Sequence, residues 1–98
     1  MRRVMVRYTV KPDQAATNEQ LVRAVYDELH RTRPDGLRYA TYVLEDGLSF
    51  VHLAEIEADD GPNPLSQVAA FGRFQDGIRD RCEQPPVSTE LREVGCFR

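Results

Sequence analysis

One histidine of this chain, His52, sits inside an apolar run, FVHLAEI at residues 50–56, where an ionisable ring needs a reason to be. An imidazole titrates near neutral pH, so in a cavity it could act as a general base toward a phenol or enol. The bland alternative is a core histidine whose nitrogens are satisfied by backbone or side-chain partners. Around it the sequence supplies other groups able to do chemistry. Arg7 and Arg3 alternate with Val4, Met5 and Val6 near the N-terminus. A guanidinium there could stabilise a phenolate, or pair with Glu90 or Glu93. Tyr39 and Thr41 precede a turn and bring hydroxyls to the region. The carboxylates Asp59, Asp60, Asp76 and Asp80 match no calcium-loop spacing, and no GxGxxG, GxSxG or phosphate-binding loop occurs. Cys82 and Cys96 make no CxxC pair, so no metal site or disulfide scaffold is indicated and both are expected to be free thiols.

These residues have to be positioned by a small scaffold. With 98 residues a single domain, 1–98, is expected, with no room for separate cofactor and substrate domains. Thirteen Lys and Arg against sixteen Asp and Glu give a net charge of −3, which argues against nucleic acid as the main partner. No apolar run reaches the roughly 20 residues of a membrane helix, and no signal-peptide core opens the chain. The expectation is a cytoplasmic protein with no membrane partner.

RVMVRYTV, residues 3–10, alternates with period two and predicts a strand, with Val4, Val6, Tyr8 and Val10 on one face and Arg3, Met5, Arg7 and Thr9 on the other. Leu21, Val22, Val25 and Leu29 mark an amphipathic helix that starts either at a Thr17–Gln20 capping box or nearer Asp13. Residues 37–44 and 48–57 read as two strands joined at Asp46-Gly47, a hairpin signal. A turn there opposes Thr41 to His52, Val43 to Phe50 and Tyr39 to Ala54. After a loop, Asn63-Pro64 opens a second helix carrying Val68, Phe71, Ile78 and Cys82, weakened at Gly72 and Gly77 and ended by Pro85-Pro86. Val87–Phe97 is then the fourth strand. The order β-α-β-β-α-β predicts an α+β, ferredoxin-like antiparallel sheet with both helices on one face. The bare face would stay exposed unless a second subunit covers it, which predicts a homodimer. Both rows of the hairpin are part apolar, and period alone does not say which row meets the helices.

Four stretches, VKPD at 10–13, GLRY at 36–39, FVHLAEIE at 50–57 and AFGRFQDGI ending at Ile78 ahead of PPV, resemble the antibiotic-biosynthesis-monooxygenase-like family of the dimeric α/β-barrel superfamily. The resemblance implies a face-to-face dimer with a pocket between sheet and helices or inside the barrel. It also implies oxidation of an aromatic quinol or phenol with O₂ and no cofactor, or a non-catalytic binding or stress-response module of the same fold; a proton-transferring isomerase or lyase ranks lower. By this likeness Phe50, His52, Ala54 and Ile56 face the pocket, joined there by Met5 and Arg7. His52 and Arg7 are then the catalytic candidates, and Met5, Tyr39, Thr41, Phe50 and Ile56 the substrate-binding ones. Haem-degrading relatives resemble one another in an Asn on the first strand, a Trp on the third and a His on the second helix. Here Met5 and Ile56 stand at the strand positions and residues 64–82 hold no histidine, so haem degradation is not implied.

Overall fold

The structure, a computed structural model, describes residues 1–58 and 60–98; Asp59, one of the loop carboxylates noted above, lies outside them. Strands β1 (Arg2–Val10), β2 (Leu37–Val43), β3 (Ser49–Ile56) and β4 (Cys82–Leu91) form one antiparallel sheet in the order β2-β3-β1-β4. Helix α1 (Ala15–Thr32) follows β1, and α2 (Ala69–Gln75) and α3 (Ile78–Arg81) precede β4. This is the predicted ferredoxin-like α+β arrangement. The row Val4, Val6, Tyr8 and Val10 of β1 turns toward the helices as its apolar character requires, and Tyr8 and Val10 are fully buried. They pack with Val22 and Val25 of α1 and with Phe50, Leu65, Val68 and Phe74 into one core.

Local chemistry explains the boundaries. A 3-10 turn over Pro12–Gln14 leads into α1, so the helix starts before Thr17, and the Thr17–Gln20 capping box falls inside the first turns rather than at the end. Proline suits this entry because its fixed φ is already helical and its missing N–H is not needed there. The Asp46-Gly47 hairpin forms as expected. Asp46 Oδ1 accepts from the N–H groups of Leu48 and Ser49 at 2.9 and 2.8 Å, and Gly47 takes φ 71°. Thr41 pairs with His52, Val43 with Phe50 and Tyr39 with Ala54. Asn63 caps a 3-10 turn over Pro64–Gln67, accepting from Leu65 N.

The second helical segment departs from a single helix. It breaks between α2 and α3, where Gly77 adopts φ 75°. The first turn of α2 has no capping side chain of its own. Glu28 of α1 supplies one, accepting from Ala69 N at 3.0 Å and Ala70 N at 2.9 Å. Pro85 and Pro86 do not end the helix but lie within β4, which starts at Cys82 and not at Val87. Two proline residues are tolerated because β4 is an edge strand and its pairing with β1 slips between Arg7 and Thr9 and again before Val10. Cys82 is buried, Cys96 is exposed, and both are free thiols. Among the described residues no helix is long and apolar enough to cross a membrane.

Candidate functional site

The register of β1 against β3 decides which groups meet. Val6 pairs with His52, Met5 with Leu53 and Arg7 with Val51. Directly paired residues of antiparallel strands project to the same side. His52 therefore shares the helix-covered face with Val6 and Tyr8, while Met5 and Arg7 lie on the open face. The expectation that Met5 and Arg7 join His52 at the pocket is thus corrected. Burial of Phe50, Ala54 and Ile56 against the helices selects this face for β3, leaving Val51, Leu53 and Glu55 on the other. Arg3, on the open face, lies 3.8 Å from Glu55 and 3.7 Å from Glu93.

A cavity of about 610 Å³ lies between this inner face and the α2–α3 segment. Val4, Val6, Ala54 and Ile56 form its sheet wall, and Leu65, Phe71, Phe74 and Ile78 form its helical wall. Its size and apolar lining suit an aromatic small molecule. Tyr39 and His52 supply its inner polar groups, while Gln75, Arg79, Ser88 and Glu90, all exposed, ring its outer side. Arg2 also lines it, and its Nε is buried without an acceptor among the described residues. Of the sequence candidates, His52, Tyr39 and Ile56 reach the cavity. Thr41 stands behind the imidazole, and Phe50 stacks on Tyr8 at 5.5 Å between ring centroids, within the core.

His52 is 4% exposed and both ring nitrogens are engaged. Tyr8 Oη lies 2.7 Å from Nε2. Tyr39 Oη lies 2.6 Å and Thr41 Oγ1 3.1 Å from Nδ1. Behind Tyr8, Asn18 Nδ2 donates to its hydroxyl at 2.9 Å. Behind Asn18, Arg81 donates to Oδ1 from Nε and Nη2, each at 3.3 Å. Arg81 also donates to the carbonyls of Phe74, at 2.6 Å, and Asp76, at 3.0 Å, so this buried cation is satisfied by neutral acceptors. On the other side Thr41 Oγ1 is 2.8 Å from Tyr26 Oη.

Burial lowers the imidazole pKa to about 4, so His52 is neutral at physiological pH. Burial also pushes the Tyr8 and Tyr39 phenols well above their ordinary value, opposed in part by the neighbouring hydroxyl or amide. All three groups are uncharged, and the network is a set of neutral hydrogen bonds anchored on one cation. Sequence reasoning missed Tyr8, Asn18 and Arg81. The signals were present: Tyr8 carries the one polar atom of an apolar row, and Asn18 continues the Val22, Val25, Leu29 stripe at helical spacing.

No protein-family model matches the chain, and no curated protein matches it in sequence. Solved structures do match over nearly its whole length. The chain has the fold of the antibiotic biosynthesis monooxygenases. One protein of that name superposes with a TM-score of 0.77 at 21% identity, covering 97% of this chain and 100% of its own. A Nitrosomonas europaea protein provisionally given the same name superposes at 0.78 with 16% identity, covering 97% and 100%. A conserved protein of Methanosarcina mazei superposes at 0.74 with 16% identity, covering 94% and 91%. At these identities the likeness establishes the fold, and the chemistry has to be argued from the site.

Proposed function

We propose that this protein is a cofactor-independent monooxygenase whose substrate is an electron-rich aromatic, a hydroquinone or phenol, held in the cavity between sheet and helices. The observation that carries the reading is the cavity itself: about 610 Å³ walled by aliphatic and aromatic side chains, with a tyrosine–histidine pair as its inner polar feature. The monooxygenase names of the neighbours that share the fold lend it support. In this reaction the substrate anion delivers electrons to O₂. One oxygen atom enters a ring carbon and the other leaves as water, taking up two substrate hydrogens. The protein's part is to bind the ring, exclude water and stabilise the oxyanion in an apolar surrounding. His52 does not act as the base in this reading, because both its nitrogens are engaged inside the protein; it acts through Tyr39. A homodimer formed through the open sheet face belongs to the same proposal, since it would cover the exposed Tyr42 and Val87.

Oxygen uptake by metal-stripped protein over a panel of hydroquinones and anthrones tests the reading, with the product gaining one oxygen atom and losing two hydrogens. Saturable binding with no oxygen consumption above the uncatalysed rate across that panel would leave a non-catalytic binding module. That second reading draws on the neutral, fully engaged His52, which offers no free base.

A further inference from the structure

Hydrogen bonds have direction, and here the direction is fixed from one end. Arg81 can only donate. Its Nε and Nη2 both face Asn18 Oδ1, so the amide nitrogen of Asn18 must face Tyr8. The reverse amide would set an NH₂ group against a guanidinium. Tyr8 Oη therefore receives a hydrogen bond from Asn18, and its own hydrogen needs an acceptor in a side chain only 1% exposed. His52 Nε2, at 2.7 Å, is the acceptor within reach. The opposite tautomer would leave a buried hydroxyl hydrogen unpaired, at the cost of a lost buried hydrogen bond. His52 thus carries its proton on Nδ1 and donates it outward, with Tyr39 Oη at 2.6 Å as the nearer of its two acceptors. Besides His52, Tyr39 Oη has only the Thr41 hydroxyl as a neighbour able to bond it among the described residues; Thr41 is itself engaged with Tyr26, and Tyr39 lines the cavity.

We propose that Arg81, Asn18, Tyr8 and His52 form a one-way hydrogen-bond chain that turns the Tyr39 hydroxyl from acceptor of the imidazole into a donor available to the cavity, where it holds the phenolate, enolate or carbonyl oxygen of an aromatic ligand. This rests on the reading of the cavity as an aromatic small-molecule site and goes beyond it by naming the contacting atom and the ligand group it selects. The chain also has a stop built into it. A proton cannot pass inward from a ligand through Tyr39, because Nδ1 already bears a hydrogen and the remaining ring lone pair, on Nε2, faces Tyr8. The site therefore stabilises an oxyanion and does not take up its proton. Tyr39 is the ligand-contacting residue; Arg81, Asn18, Tyr8 and His52 are positioning residues.

Two measurements test this. The first needs no ligand: nitrogen-15 NMR of histidine-labelled protein at neutral pH, with His30→Gln to assign the two rings. The expected result is His52 protonated at Nδ1 with Nε2 accepting. Asn18→Asp should reverse it, because the introduced carboxylate stays paired with Arg81 yet accepts from Tyr8, so that Nε2 becomes the protonated nitrogen. A wild-type ring protonated at Nε2 overturns the proposal. The second compares naphthalene with 2-naphthol by fluorescence titration. Wild type should shift bound naphthol toward naphtholate. Tyr39→Phe should weaken naphtholate binding roughly tenfold or more while leaving naphthalene unchanged. Asn18→Asp should lose the same preference with every cavity wall intact. If both probes bind and Tyr39→Phe leaves naphtholate affinity as in wild type, the donor assignment falls and the cavity reading survives. If neither probe binds, the cavity reading itself fails and takes the donor assignment with it.

Discussion

Tyr39 Oη stands 2.6 Å from His52 Nδ1, although the cross-strand partner of His52 is Thr41 and that of Tyr39 is Ala54. The contact is a diagonal one, two residues along the strand, which a long aromatic side chain can span. It sets the imidazole against the tyrosine hydroxyl, with both ring nitrogens engaged inside the protein. Tyr39 also stacks on Tyr26 at 5.4 Å and meets Phe71 edge-on at 6.4 Å, so its ring is held on both sides while its hydroxyl sits on the histidine.

Substitutions at His52 should follow from this geometry. His52→Ala removes the acceptor for Tyr8 and the partner of Tyr39 and leaves a hole in the core. Unfolding in urea should show a loss of about 2–4 kcal/mol, combining unpaired buried hydroxyls with cavity formation. His52→Gln keeps a donor and an acceptor and should lose less. If oxygenation is confirmed, His52→Gln should retain turnover within about tenfold of wild type, since the ring is not the base. A loss of about 10²-fold or more in a well-folded His52→Gln protein would restore the imidazole as the acid–base group.

The pH dependence of stability has a definite sign. The folded His52 has a pKa of about 4, below the ordinary 6.5 of an exposed imidazole. Between these values the unfolded chain binds more protons than the folded one, so stability rises with pH through this window. The contribution is complete above about pH 6.5 and is lost as pH falls toward 4, amounting to roughly 3 kcal/mol over the window. Urea midpoints measured at intervals from pH 7 to pH 4 should show this slope in wild type and a shallower one in His52→Gln. Equal slopes in the two proteins would mean that the ring gains its proton as readily in the folded state as in the unfolded chain.

Much of this arrangement was legible from the residues, and the failures have physical causes. The alternation of Val4, Val6, Tyr8 and Val10 gave the inner face of β1, and Asp46-Gly47 gave the β2–β3 register to the residue. What period two cannot give is the register between strands distant in sequence. A shift of one residue between β1 and β3 exchanges faces, and it is this choice that separates Met5 and Arg7 from His52. The boundary of β4 was misread because Pro85-Pro86 is a stop for a helix but a tolerable feature of an edge strand. Arg81 escaped notice because a lone arginine near the end of a helical pattern reads as surface; only the fold brings it to Asn18, 63 positions earlier.

The open face should drive dimerisation. Ala40, Val51, Leu53 and Met5 lie on it, with Tyr42 58% and Val87 63% exposed at its sides. A face of this kind is costly to leave in water. Sedimentation of wild type at micromolar concentration should give a mass near twice 11.2 kDa. Leu53→Glu, placing a charge at the middle of the face where a second subunit would pack, should give the monomer mass with an unchanged circular dichroism spectrum. A monomeric wild type under these conditions would remove the dimer from the proposed function.

Glu28 should matter for the cavity although it never touches it. Its two carboxylate oxygens accept from Ala69 N and Ala70 N and supply α2 with the cap its own sequence lacks. These bonds, led by that from Ala70, hold the Glu28 carboxyl below its ordinary pKa. The stabilisation is therefore present above the ordinary carboxylate range and is lost as pH falls through the lowered folded value. Helix α2 carries Phe71 and Phe74, the aromatic wall of the cavity. Glu28→Ala should lower the melting temperature, and Glu28→Gln, retaining one acceptor, should lower it less. Amide exchange at residues 69–72 should speed up in both variants, while exchange in β1 and β3 stays as in wild type. Binding of an aromatic probe should weaken in step with that exchange, because the wall and not the polar pair has been loosened. Unchanged exchange at Ala69 and Ala70 in Glu28→Ala would show that α2 holds its first turn without the carboxylate.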